Sequence, residues 1–97
     1  MGAHFGSDIR RPLTKVPVTT SGGSGALLPA DASRQLVLVS STKGNGSAAI
    51  DPTGGTCALD SGIPIEGGDT IQIEGKAAES AMTQIGTAGQ KLTVYWG

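Results

Sequence analysis

Residues 62–75 read GIPIEGGDTIQIEG, and this stretch decides the fold. A short apolar segment runs into the Gly67-Gly68 pair. The residues after it alternate, with Ile71 and Ile73 on one face and Thr70, Gln72 and Glu74 on the other. A period of two marks a strand with one buried face. The glycine pair predicts positive φ at Gly67 and Gly68, a conformation costly for any residue with a Cβ. Ile71 and Ile73 are therefore the first core candidates. Nothing in the stretch carries chemistry, so it speaks to fold and not to activity.

Working outward, the pattern stays that of strands. Residues 35–40 (QLVLVS) are aliphatic on both faces, as in a central strand or one covered on both sides. Residues 42–47 hold the turn dipeptide Asn45-Gly46. Residues 48–50 are a weak strand, 51–55 a loop, and 56–59 (TCAL) a short strand candidate. Residues 76–83 have helix-forming composition but are too few for an independent helix, which predicts a single turn or an irregular loop. Residues 81–85 return to strand, and 86–90 read as a hairpin loop. The last strand, 91–96, sets Leu92, Val94 and Trp96 against Lys91, Thr93 and Tyr95. Short strands with turn signals about every 8–12 residues predict an all-β sandwich or small barrel.

Residues 1–33 read differently. They contain Pro12, Pro17, Pro29 and the Ser/Gly run at 21–25. Proline fixes φ and removes a donor, so helix is excluded over most of this region. Residues 16–20 are extended and suited to a sheet edge. The domain organisation expected is an extended arm over 1–33 and a β-sandwich over 34–97. Arg10, Arg11 and Lys15, followed by the apolar positions Val16 and Val18, are the arm residues expected to bind a partner. The 64 residues from Arg34 to Gly97 are few for one core, since below roughly 70–80 residues a core seldom supplies more than about 3–5 kcal/mol. Self-association is the expected remedy.

Composition narrows the functional classes. The chain has 97 residues, enough for one small domain, and its 16 glycines follow no triplet period, which excludes collagen. A hydrophobic share of 37% argues against full disorder. A formal net charge of -1 leaves no electrostatic footprint for nucleic acid or an anionic membrane. No apolar run approaches the roughly 20 residues of a membrane helix, and the first residues lack an apolar signal core. Gly6 stands where a myristoylation motif requires Ser or Thr. With Cys57 the only cysteine, no intramolecular disulfide forms, which fits a reducing cytoplasm or assembly there.

The residues capable of chemistry are scattered. His4, the only histidine, lies in the arm, where a general base could not be held in place. Cys57 sits in an apolar run without a basic neighbour, the setting of an inert core thiol. Asp51, Asp60, Glu66, Asp69 and Glu74 match no calcium loop and read as turn and surface residues. The glycine-rich pieces at 44–47 and 86–91 match neither a phosphate loop nor a dinucleotide fingerprint. The sequon Asn45-Gly46-Ser47 is uninformative without a secretory signal. The reading is no catalytic residue, no cofactor and no metal.

Three features together carry a resemblance. They are a basic residue before an aliphatic strand (Arg34-Gln35-Leu36-Val37-Leu38-Val39), an apolar-Pro-apolar step with a Gly-Asp turn and strand (residues 62–73), and a closing aliphatic-aromatic strand (residues 89–96). Over about two thirds of its length the chain resembles the small β-sandwich accessory proteins of tailed-bacteriophage virions. It departs from them in its long Pro/Gly arm and in ending just after the last strand. The resemblance implies a β-sandwich or jelly-roll-like fold and a non-enzymatic structural role. That role is capsid decoration or cement on the head shell, with the major capsid protein or another virion protein as partner. It also implies a virion location after assembly in the host cytoplasm, and a homotrimer. The alternatives are a head-fibre, tail or connector component, or a receptor- or carbohydrate-binding module.

Overall fold

The doubly apolar run after Gln35 becomes the strand that ties one whole sheet together. The computed structural model describes residues 12–97. The strands in chain order are β1 (Thr14–Thr19), β2 (Gly25–Leu28), β3 (Leu36–Ser41), β4 (Ala48–Asp51), β5 (Ile63–Ile65), β6 (Thr70–Glu74), β7 (Met82–Gly86) and β8 (Lys91–Trp96). A single 3-10 helix, Gly75–Glu79, lies between β6 and β7. Among the described residues no helix is long and apolar enough to cross a membrane.

The strands form two four-stranded sheets, ordered β1-β8-β3-β6 and β2-β7-β4-β5. Every pairing is antiparallel, and the pairs nest: β4 with β5, β3 with β6, β2 with β7, β1 with β8. A long hairpin with its tip between β4 and β5, rolled so that successive pairs fall in alternate sheets, generates this order. That is a jelly roll, in agreement with the all-β sandwich expected.

The inner faces meet in one core. Val37 and Val39 of β3, Leu92 and Val94 of β8 and Ile73 of β6 face Ala48, Ile50, Ile65 and Met82 of the second sheet. Ala78, on the 3-10 helix, closes one end of this core. On the opposite face of β3, Leu36 and Leu38 are also buried, as a strand apolar on both sides requires.

Four expectations change. The sheets do not begin at Arg34: β1 and β2 lie at one edge of each sheet, and Val16, Val18, Leu27 and Leu28 pack in or against the core. Residues 12–33 thus supply two of the eight strands among the described residues, and the globular part reaches back at least to Thr14. The folded unit is therefore larger than the 64 residues expected, since 84 residues from Thr14 onward share the fold. Second, residues 87–90 are not a hairpin, because β7 and β8 belong to different sheets and the segment crosses between them. Third, residues 56–59 are not a strand. They form part of a loop over the second sheet, held there by bonds to Ser24, Ala49 and Thr83. Fourth, only Gly68 of the glycine pair has positive φ, at 91°. Gly67 is required for closeness, since a Cβ there would stand 2.5 Å from the Asn45 carbonyl oxygen. The predicted single turn after Gly75 and the alternating strands β6 and β8 stand as read. His4, Arg10 and Arg11 lie outside the described residues.

Candidate interaction surface

Lys15, Val16 and Val18, the described members of the expected partner-binding set, all sit on β1. Their roles separate by backbone direction. The Thr20 amide donates to the Gln90 carbonyl at 2.9 Å, which continues the β1–β8 register by one residue. Antiparallel bonding alternates, so Thr14, Val16 and Val18 turn their backbone groups toward β8 while Lys15, Pro17 and Thr19 turn theirs to the open edge. Pro17 therefore lacks its N–H where no ladder bond is made, as edge prolines must. Val16 and Val18 face inward and are half-buried against the core. Their side chains serve their own domain, and of the described set only Lys15 is exposed.

The basic residue ahead of β3 has a structural task that sequence reasoning missed. Arg34 is 2% exposed. Its guanidinium donates from Nε to the Ala78 carbonyl (2.6 Å), from one terminal nitrogen to the Pro29 carbonyl (2.9 Å) and from the other to the Ser80 carbonyl (2.8 Å). It also lies 5.9 Å from the centroid of the Trp96 ring, within cation–π range. The fork joins the segment after β2, the 3-10 helix and the segment before β7 at one end of the sandwich. Burial pushes the Arg34 pKa below its usual value and nearby Asp31 pulls it back up; arginine stays charged regardless.

Thr20 plays the matching part at the other end. Its hydroxyl donates to the Thr87 carbonyl, its own carbonyl accepts from the Gly89 amide (2.8 Å), and its Oγ1 accepts from the Gln90 amide (3.2 Å). One threonine thereby holds the β7–β8 crossover.

Residues 52–62 form the longest loop among the described residues. Its ends are adjacent, because Ile50 pairs with Ile63, which makes it an Ω-type loop. It lies over the outer face of the second sheet. Thr83 Oγ1 donates to the Gly55 carbonyl (2.6 Å), and the Cys57 amide donates to Ser24 Oγ (2.8 Å). Buried Cys57 donates its thiol to the Ala49 carbonyl (3.4 Å). Burial, then the charge of Asp51, raise the thiol pKa, the reverse of what a nucleophile needs. Leu59, 55% exposed, is displayed on this loop, and Ile63 at its base is 39% exposed.

Asp51 and Asp69 bind their own turns. Asp51 Oδ1 accepts from the Thr53 amide and hydroxyl (2.8 and 2.6 Å), which lowers its pKa. Asp69 Oδ2 accepts from the Glu66 amide (3.0 Å), and Glu66 accepts from Ser47 Oγ (3.0 Å). Among the described residues no three of His, Cys, Asp and Glu come together as metal ligands. What the described surface offers to other molecules is sheet edges and loops.

No protein-family model and no curated protein sequence matches the chain. Among solved structures it is similar to the stem and receptor-binding domain of the spike protein P1 from bacteriophage PM2. The TM-score is 0.58 at 24% identity, covering 80% of this chain and 30% of that one. The chain thus spans less than a third of the spike structure, and the likeness is one of fold. A de novo designed double-stranded β-helix aligns over 89% of this chain and 96% of its own, with a TM-score of 0.49 and 13% identity.

Proposed function

We propose that the chain is a structural protein of a bacteriophage virion, and that it works by binding rather than catalysis. One observation carries the reading: four fifths of the chain adopts a fold similar to part of a phage spike protein. The jelly-roll order supports it, since that architecture recurs in capsid and lectin domains, where loops and edges make the contacts. Within this reading, decoration of the head shell with the major capsid protein as partner rests on the strand-and-turn resemblance described above. Attachment to a host receptor or glycan rests on the receptor-binding domain in the spike structure and on a loop that displays Leu59 outward.

The test is the protein content of purified particles from a phage that encodes the chain. Its peptides are expected at a fixed copy number per particle. Particles without it, while the chain is abundant in the lysate, would overturn the virion role. Free protein added to stripped heads separates the two finer roles. Head binding that raises the temperature of shell disassembly supports decoration. Cell binding that blocks infection supports receptor attachment.

A further inference from the structure

We propose that β6 is a self-pairing edge: two copies join β6 to β6 about a two-fold axis, with Gln72 opposite its symmetry mate. Their first sheets then merge into one eight-stranded sheet.

The sandwich has four sheet edges, β1, β6, β2 and β5. Natural edges are blunted by proline, lysine, bulges or shortness. β1 has Lys15 and Pro17 at outward-directed positions. β2 is four residues long and broken by a register shift between Ala26 and Leu28. β5 is three residues with Pro64 at its centre. β6 has five residues, no proline, no lysine and no register shift, and its one charge, Glu74, stands at its end. Among the described residues it pairs with β3 alone.

The ladder to β3 fixes which groups are open. The Ser41 amide donates to Asp69, and the Gly75 amide donates to Gln35. By alternation Ile71 and Ile73 also bond β3, while Thr70, Gln72 and Glu74 direct both N–H and C=O outward. The two-fold register centred on Gln72 pairs all three, Gln72 with Gln72 and Thr70 with Glu74 in both directions. Centring on Ile71 or Ile73 leaves one of the three outside the overlap. Centring on Glu74 sets two carboxylates face to face, which is destabilising. Charge and hydrogen bonding therefore select the same register. In that register Ile71, half-buried in the single chain, falls in a close non-hydrogen-bonded pair with Ile73 of the second copy. Ile63, exposed on the neighbouring edge strand β5, is on the same side of the sandwich, joined to β6 through the four-residue turn 66–69.

The experiment uses the full chain. Its mass in solution is expected to rise from 9.6 kDa to twice that value between micromolar and millimolar concentration. Gln72→Cys is expected to form a disulfide-linked dimer on oxidation, because a hydrogen-bonded antiparallel pair has a Cα separation of about 5.5 Å, suited to a disulfide. Thr70→Cys is expected not to cross-link, since the two copies of residue 70 lie about 13 Å apart along the strands. Gln72→Pro removes an N–H that the fold itself does not use, so it is expected to stay folded by circular dichroism and monomeric at every concentration. A parent that stays monomeric, a mass of three chains, a Gln72→Pro variant that still dimerises, or Thr70→Cys cross-linking as well as Gln72→Cys would each overturn the proposal. If Gln72→Pro fails to fold, the paired cysteine variants still decide it.

Discussion

Arg34 shows how one side chain can hold an end of a sandwich. Three carbonyls from three segments converge on a single planar fork, a geometry that lysine's point charge cannot reproduce. Arg34→Lys is expected to leave at least one carbonyl without a donor, at about 1–3 kcal/mol for each buried group. With roughly 4–8 °C per kcal/mol for a domain of this size, a thermal melt is expected to show a fall of about 10 °C. An unchanged melting point would mean that the fork contributes nothing to stability. Cys57 gives a second prediction at this scale. Its folded pKa is raised, so the thiolate is disfavoured in the native state. The stability linked to it is complete below the unfolded thiol value of about 8.5. It is lost as pH rises through the higher folded value. Alkylation at mildly alkaline pH is therefore expected to follow global unfolding, with label uptake suppressed in the native protein. Rapid labelling of native protein would contradict the burial of the thiol.

Elements were legible in the sequence wherever period two survived. β6 and β8 were plain because Ile71-x-Ile73 and Leu92-x-Val94-x-Trp96 alternate against polar residues. Ile73→Ala is expected to cost about 2–5 kcal/mol. Ile71→Ala should cost less, since Ile71 is only half-buried. Equal melting shifts for the two variants would show that the faces are misassigned. Strand partners were not legible. A short glycine-containing loop between two alternating strands reads as a hairpin whether it turns within a sheet or crosses between sheets. What settles residues 87–90 is Thr20, 67 positions away from Thr87 in sequence, and no local signal announces it. β2 escaped notice because Gly25-Ala26-Leu27-Leu28 has no alternation, its register being broken by an irregularity. Arg34 was visible as a basic residue before a strand. Its three acceptors are backbone carbonyls, which carry no side-chain signature at all. Of the residues expected to bind a partner, Lys15 is exposed, while Val16 and Val18 turn into the core, because the alternation of β1 sets them on its inner face.

At the scale of the whole molecule, the question is where the cooperative unit begins. Composition placed that boundary at Arg34, because prolines and a Ser/Gly run look like an arm. The nesting of the jelly roll brings Thr14–Thr19 inside it, because that strand must pair with β8 to complete the roll. β1 gives β8 its second neighbour. It also lays Val16 and Val18 over the inner face beside Leu92 and Val94, two of the best-buried of the described residues. Deleting residues 1–19 would leave β8 as an edge strand with its outward backbone groups unpaired. It would also uncover apolar surface worth about 25 cal/mol per Å² and remove Thr20's tie from a folded strand to the crossover. The truncated chain is expected to melt far below the parent or to be insoluble. Proteolysis of the intact chain is expected to spare the Thr14–Thr19 strand until global unfolding. A truncated protein that keeps the parent's melting temperature would return residues 14–19 to the status of an arm. It would also show that the roll is complete without its first strand.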